Sequence, residues 1–129
     1  MIVVDASVVL DALAGFARET TLKNKLAASG DLVAPSFLDV EVANVLRRQV
    51  RLGKLSVDRG LEAIGDLVDL GLTTYDVDHL LFRIWDLRDN LTAYDAAYVA
   101  LAEDLRVPLL TRDRRLASAK GHSAQILLV

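Results

Sequence analysis

The chain has 129 residues, of which 53% are hydrophobic and 26% charged, and 18 acidic against 15 basic side chains give a net charge of −3. This length suits a single domain, and the composition excludes intrinsic disorder. The lack of cysteine excludes disulfides and thiolate metal sites, while the negative charge argues against a general polyanion-binding protein. The longest apolar run, Ala96–Ala102, is too short to span a membrane, so we expect one cytoplasmic domain over residues 1–129.

Short, continuous apolar runs predict five strands, and segments with helical periodicity lie between them. The predicted strands are Ile2–Val4, Leu32–Ala34, Leu72–Tyr75, Val107–Leu110 and Ile126–Val129. The predicted helices are Thr20–Ser29, Ser36–Leu52, Val57–Leu70, His79–Arg88 and Ala93–Leu105. The first three helices end before a glycine, which is a common helix stop. Strands that alternate with helices indicate an α/β fold with a short, mainly parallel sheet flanked by helices.

Two of the predicted helices carry apolar residues that need a partner surface. One stripe at helical spacing is expected to pack in the core, and it consists of Val57, Leu61, Ile64 and Val68. The helix His79–Arg88 has apolar residues on more than one face. This pattern predicts either a central helix or a helix that is covered by a second chain.

Four acidic residues occupy positions where a carboxylate is unusual. Asp5 directly follows the first predicted strand, and Asp113 lies just past the fourth. Glu41 and Asp95 share helix faces with apolar neighbours, where an isolated charge is costly and calls for a partner.

Helix capping offers another interpretation for three of these acids. Asp5 and Asp113 would cap the helical turns that follow them, and Asp95 would belong to a capping box. Glu41 has no such alternative, because Ser36, with the acid three residues later, would already cap its helix.

The predicted topology brings all four acids to one side of the sheet. Residues just after parallel strands lie at the same edge, which places Asp5 beside Asp113. Asp95 begins the helix that leads to the fourth strand and returns to this edge, while Glu41 lies early in the helix that leaves the second strand. Two carboxylates about 5 Å apart repel by roughly 3 kcal/mol, so a cluster with no cationic side chain between its members requires protonation or a bound cation. Oxygen ligands alone favour Mg²⁺ or Mn²⁺, ions that serve in phosphodiester hydrolysis.

The segments around these acids resemble the PIN-domain family, and within it the VapC-type toxin ribonucleases of toxin–antitoxin pairs. They are Asp5-Ala6-Ser7, Glu41–Leu46, Thr92–Ala102 and Thr111–Leu116, in the family's order along essentially the whole chain. The resemblance implies a PIN-like three-layer fold. It also implies a Mg²⁺ or Mn²⁺ site that cleaves RNA.

The resemblance also implies roles for individual residues. The family's acidic positions, which hold metal and take part in catalysis, are matched by Asp5, Glu41, Asp95 and Asp113. Hydroxyl positions beside them are matched by Ser7 and Thr111, and Asn44 is a candidate supporting group one turn after Glu41. Three basic residues around the last acid are candidates for contacts with RNA phosphates: Arg112, Arg114 and Arg115.

Two protein partners are implied by the same resemblance: a VapB-type antitoxin, and a second copy in a homodimer or a larger toxin–antitoxin assembly. We expect Leu81 and Trp85 to form the dimer interface. The helix Val57–Leu70 and its predecessor are expected to form the antitoxin groove. An antitoxin that reaches the acids should present a basic side chain to them.

Other function classes require residues that differ from those present. A phosphatase of the haloacid-dehalogenase type would need Asp-x-Asp after the first strand, but position 7 is serine. A receiver-like signalling domain would need an acidic pair there and a lysine at the end of the last strand, but the chain ends in Gln125–Val129. A degenerate PIN domain that binds without cleaving is the remaining alternative.

Overall fold

A computed structural model of the protein describes residues 1–13, 26, 28 and 30–129. Its single sheet has five parallel strands: β1 (Ile2–Val4), β2 (Leu32–Pro35), β3 (Thr73–Tyr75), β4 (Leu109–Thr111) and β5 (Ile126–Leu128). The described residues include six α-helices: α1 (Ala6–Ala12), α2 (Leu38–Arg51), α3 (Val57–Asp69), α4 (Leu81–Asp86), α5 (Ala93–Leu105) and α6 (Arg114–Ala117). The predicted α/β class is confirmed. The helix predicted over Thr20–Ser29 lies outside the described residues, apart from Leu26 and Ala28.

The strand order β3-β2-β1-β4-β5 places β1 in the middle of the sheet. Val3 of β1 pairs with Val33 on one side and with Leu109 on the other, and all three side chains are fully buried. The chain builds one half of the sheet from β1 to β3 and then returns to place β4 beside β1. The carboxyl ends of β1 and β4 therefore lie at the switch point of the sheet, where the strand order reverses its direction.

Helix α5 is the central helix of the fold. Its middle segment, Ala96–Ala102, is buried throughout, because α5 packs against β1, β2 and β4 and is also covered by α4. Four alanines in this segment allow close approach from several sides. Arg106 ends the helix in the left-handed conformation, with φ of 57°.

The core packing predicted for the apolar stripe of α3 is wrong for three of its four members. The exposed members are Val57, Leu61 and Val68, and the fourth is only partly buried. The buried face of α3 is made of other residues, namely Gly60, Ala63 and Leu67. Two of these residues are small, and a Cβ on Gly60 would stand 3.4 Å from Val50 Cγ2 of α2. The small face of α3 thus packs closely on α2, and the larger apolar side chains face solvent.

The segment predicted as one helix from His79 to Arg88 divides into a 3₁₀ turn, Asp78–Leu80, and helix α4. Its buried residues are Leu80, Ile84 and Leu87. Its exposed apolar residues are Leu81, Phe82 and Trp85. This helix is therefore not central. Of the two alternatives predicted for it, only a helix that is covered by a second chain remains. Within the part of the chain that the structure describes, no helix is long and apolar enough to cross a bilayer.

Candidate active site

The candidate site lies where β1 and β4 end side by side. Open α/β sheets bind ligands at such switch points, outside the carboxyl ends of the strands. Asp5 directly follows β1, and Thr111 is the last residue of β4. Thr111 Oγ1 donates a hydrogen bond of 2.5 Å to Asp5 Oδ2, which connects the two strand ends.

Asp5 is a buried carboxylate, 6% exposed, whose two oxygens are both bonded. In addition to the bond from Thr111, Oδ1 accepts from Ser7 Oγ at 2.5 Å and from the Val8 N–H at 3.1 Å. Burial raises the pKa of the Asp5 carboxyl, and these hydrogen bonds lower it in part. Asp5 is thus the N-cap of α1, as the capping interpretation predicts, and also a fixed carboxylate at the switch point.

The hydroxyls of Ser7 and Thr111 connect Asp5 to the loop after β4. Ser7 Oγ accepts from the Arg112 N–H at 3.0 Å, and Thr111 Oγ1 accepts from the Asp113 N–H at 3.0 Å. Each hydroxyl therefore donates to the Asp5 carboxylate and accepts from the loop. This geometry fixes the loop, and with it Asp113, relative to Asp5.

Glu41 extends from the first turn of α2 and is held by a buried tyrosine of α5. Tyr98, only 2% exposed, donates from its hydroxyl to Glu41 Oε1 at 2.7 Å. Burial raises the pKa of Glu41, and the charges of Asp95 and Asp5 raise it further, against the lowering effect of the Tyr98 bond. The N-cap of α2 is Phe37, so the cap expected from Ser36 is wrong.

Asp95 lies in the first turn of a helix that Thr92 caps, and Asp113 is itself a helix N-cap. The Asp95 N–H donates to Thr92 Oγ1 at 3.2 Å, which starts α5 and places Asp95 in its first turn. Asp113 Oδ1 accepts from the Arg115 N–H at 2.8 Å and so caps α6. Burial raises the pKa of Asp95, Arg115 lowers it, and the negative charges of Asp113 and Asp5 raise it again.

An arginine side chain lies between two of the acids, although the sequence analysis expects no cationic side chain among them. The Arg115 guanidinium places Nη2 3.4 Å from Asp95 Oδ2 and 3.8 Å from Asp113 Oδ2. Its side chain is 77% exposed, so it can leave the acids without disturbing the core. Of the other predicted RNA-binding residues, Arg112 is paired with Asp11 of α1, and Arg114 is exposed.

The four predicted acids lie on one side of the sheet but do not form a closed ligand set. Among the described residues, no three acidic, histidine or cysteine side chains are close enough to hold a metal ion. In addition to burial, the charges of Asp95 and Asp5 raise the pKa of Glu41, and the charges of Asp113 and Asp5 raise the pKa of Asp95. The donors are all carboxylate oxygens, which fits a hard divalent cation such as Mg²⁺ or Mn²⁺.

Tyr98 is a site residue that the sequence analysis did not identify. It lies three residues after Asp95, on the same helix face and in an otherwise apolar run. Because a buried tyrosine hydroxyl needs a partner, its position beside a predicted acid was the available signal. The partner proved to be Glu41, from a different helix.

The family model for the PIN domain matches residues 2–121 of the chain. The chain belongs to the PIN-domain family. This PIN domain is 43% identical to Ribonuclease VapC1 of Mycobacterium tuberculosis over 128 residues, which cover 98% of this chain and 96% of the relative. The family predicted from the acidic segments is thereby confirmed.

Solved structures show the same fold. VapBC2 from Rickettsia felis, bound to a DNA fragment from its promoter, has a TM-score of 0.71 at 13% identity, over 98% of this chain and 99% of that one. A toxin–antitoxin complex from Klebsiella pneumoniae has a TM-score of 0.61 at 18% identity, over 92% of this PIN domain and 91% of that chain.

Proposed function

We propose that this PIN domain is the ribonuclease toxin of a toxin–antitoxin pair, and that it hydrolyses RNA phosphodiester bonds with Mg²⁺ or Mn²⁺ held by carboxylates. The observation that carries the proposal is the arrangement of Asp5, Glu41 and Asp95 around the switch point of the sheet. The VapC1 ribonuclease, 43% identical over nearly the whole chain, supports the same activity.

The acids that would hold the cation are Asp5, Glu41, Asp95 and Asp113. Asp5 is the fixed member, because three hydrogen bonds and burial determine its position. Glu41 and Asp95 are only partly buried, so their carboxylates are accessible to a cation or a substrate. When bound, Mg²⁺ or Mn²⁺ would stabilise charge on the phosphodiester and lower the pKa of an attacking water.

The residues around the acids keep them in place and charged. Ser7 and Thr111 fix Asp5, and Tyr98 orients Glu41 through its hydroxyl. Arg115 neutralises part of the charge of Asp95 and Asp113 while no cation is present. Once a cation replaces it, the guanidinium is free to contact an RNA phosphate, together with the exposed Arg114.

The proposed function implies that partner chains cover two exposed surfaces of this PIN domain. The exposed apolar side chains of α3, together with α2, would receive a VapB-type antitoxin, and a basic side chain of that partner would enter the acidic site. The exposed Leu81 and Trp85 of α4 would form the interface of a homodimer. Such a toxin acts where cellular RNA is found, in the cytoplasm.

The direct test is cleavage of a structured RNA by the purified chain in Mg²⁺, in Mn²⁺ and in EDTA. We expect cleavage only with a divalent ion, and a loss of at least a hundredfold in Glu41→Gln and Asp113→Asn, on the order expected when a group that acts in the transition state is removed. Glu62→Gln, an exposed position on α3, is the matched control and should cleave like the wild type.

Two results would contradict the proposed activity. Undiminished cleavage in EDTA, or full activity of Glu41→Gln, would show that the acids are not the catalytic groups. A wild-type chain that binds RNA in Mn²⁺ but leaves it intact would instead be the degenerate PIN binding module.

A further inference from the structure

An aromatic pocket opens directly beside the acidic site. It has a volume of about 460 Å³ and is lined by Phe37, Val40, Glu41, Asn44 and Tyr94. One wall comes from the N-terminal part of α2 and the other from the first turn of α5. Glu41 lines the pocket and is also one of the four acids, while Tyr94 directly precedes Asp95. The pocket and the acidic site therefore adjoin each other.

The exposed ring of this pocket is held by a packed aromatic cluster. Phe37 lies edge-to-face with Tyr94, with ring centroids 5.5 Å apart and an interplanar angle of 86°. It makes a similar contact with Tyr98, at 5.6 Å and 86°. Since Tyr98 is buried and bonded to Glu41, this chain of contacts fixes Tyr94 relative to the acids. Tyr94 nevertheless remains 62% exposed, which leaves much of its ring free.

We propose that this pocket binds one unpaired nucleobase of the RNA, next to the phosphate that is cleaved. The inference rests on the proposed ribonuclease function and specifies its substrate as single-stranded at this nucleotide. Because Glu41 belongs to the acids and also lines the pocket with Tyr94, an RNA phosphate at the acids brings a neighbouring nucleotide close to this pocket. Bases stack on aromatic side chains when they are splayed out of a helix.

The lining of the pocket matches a base better than a phosphate or an acidic side chain. Phe37, Val40 and Tyr94 offer apolar and aromatic surface, while Glu41 would repel a phosphate. A nucleobase is neutral, has an aromatic face and carries polar groups at its edge. One exposed ring provides a place for one base, in agreement with an aromatic content of only 5%.

Asn44 supplies a polar group for the edge of that base. It lies one helical turn after Glu41, is exposed and lines the same pocket. Its side-chain amide has both a donor and an acceptor, the pair of groups that proteins use to distinguish base edges. Asn44→Ala should therefore reduce the difference in affinity between the four bases at this nucleotide, while stacking on Tyr94 is kept.

The proposal is tested by the affinity of short, labelled single-stranded oligoribonucleotides in Mn²⁺, measured by fluorescence anisotropy with Asp113→Asn as the cleavage-impaired parent. In one series of probes, each nucleotide in turn is abasic. We expect Tyr94→Ala to weaken binding of the intact probe about tenfold. One abasic position should weaken binding to the parent by a similar factor and have little effect on Tyr94→Ala. Tyr94→Phe keeps the ring and should bind like the parent.

Thr74→Ala is the matched control, because Thr74 is an exposed residue of the edge strand β3, outside the surfaces proposed for RNA and for partner chains. It should leave the affinity for every probe unchanged. The base pocket is overturned if Tyr94→Ala binds all probes like the parent while the wild-type chain cleaves RNA, and the proposed ribonuclease function then stands. If the wild type neither binds nor cleaves any RNA, the proposed function fails, and the base pocket fails with it. A Tyr94→Ala chain that loses its dimer mass in light scattering but keeps its affinity would assign the ring to a protein interface instead.

Discussion

Asp5 shows how one carboxylate serves both the fold and the candidate site. Its Oδ1 caps α1, and its Oδ2 accepts from Thr111 at the end of β4. From the sequence, capping and metal binding are competing interpretations of this residue. In the structure they are compatible, because a carboxylate has two oxygens with several lone-pair positions. Asp113 likewise caps a helix, α6, and also belongs to the candidate site.

Removal of Arg115 should strengthen metal binding. Arg115→Ala removes the guanidinium beside Asp95 and Asp113, so Mn²⁺ no longer has to compete with it. We expect the Kd for Mn²⁺ to become two- to fivefold lower, which corresponds to the free energy of about one exposed ion pair. Isothermal titration calorimetry with Mn²⁺ measures this directly. Arg114→Ala removes the same charge from the adjacent, exposed position and should give a smaller change. Equal effects in both variants would mean that only the net charge matters.

The positions of the acids could be predicted from topology, but their immediate contacts could not. Asp5 follows a strand and Asp95 begins a helix that leads to the neighbouring strand, and a parallel sheet places such residues at one edge. The Tyr98 bond to Glu41 and the Arg115 contact with Asp95 join side chains from separate elements. Such contacts depend on side-chain rotamers and on helix packing, which spacing along the chain does not determine.

At the scale of elements, Glu103 ties helix α4 and the segment before β5 to helix α5. Both oxygens of its carboxylate accept from Arg83 of α4, at 2.9 Å each. One of them also accepts from the N–H and the Oγ of Ser123, again at 2.9 Å. These bonds, led by the bond from Arg83, lower the pKa of Glu103 to about 2.

This network makes the stability of the fold depend on pH. The pKa of Glu103 is about 2 in the folded chain, against 4.5 as its ordinary value, so the stabilisation is complete above pH 4.5 and is lost as the pH falls towards 2. We expect Glu103→Gln to lower the free energy of unfolding by about 2 kcal/mol near pH 7. The difference from the wild type should shrink by about 1 kcal/mol near pH 3.5 in urea titrations. Glu62→Gln, an exposed acid of α3, is the control, and a difference that is independent of pH would contradict the account.

The periodicity of helix α3 does not determine which of its faces is buried. The stripe formed by Val57, Leu61 and Val68 has the spacing of a core face, yet these side chains are exposed. The core instead receives the neighbouring face, where Gly60 and Ala63 allow α2 to come close. Periodicity identifies an apolar face, but the fit between two helices decides which face is buried.

At the scale of the whole molecule, the exposed apolar residues of α4 predict that the chain is a homodimer. Light scattering should give twice the monomer mass of 14.1 kDa at micromolar concentration. Leu81→Glu places a charge in the proposed interface and should give the monomer mass. Val68→Glu introduces the same charge at an exposed apolar position of α3 and should remain dimeric. A wild-type mass near 14.1 kDa would remove the dimer and leave the nuclease assignment untouched.

The central claim is that four acids from separate elements act as one cation site, and calorimetric titration with Mn²⁺ tests it most directly. The wild-type chain should bind Mn²⁺ saturably, and Asp5→Asn and Asp95→Asn should each bind at least tenfold more weakly, because each removes one carboxylate from the same site. Asp58→Asn, an exposed acid of α3, should bind like the wild type. Unchanged Mn²⁺ binding in Asp5→Asn and Asp95→Asn would contradict the account.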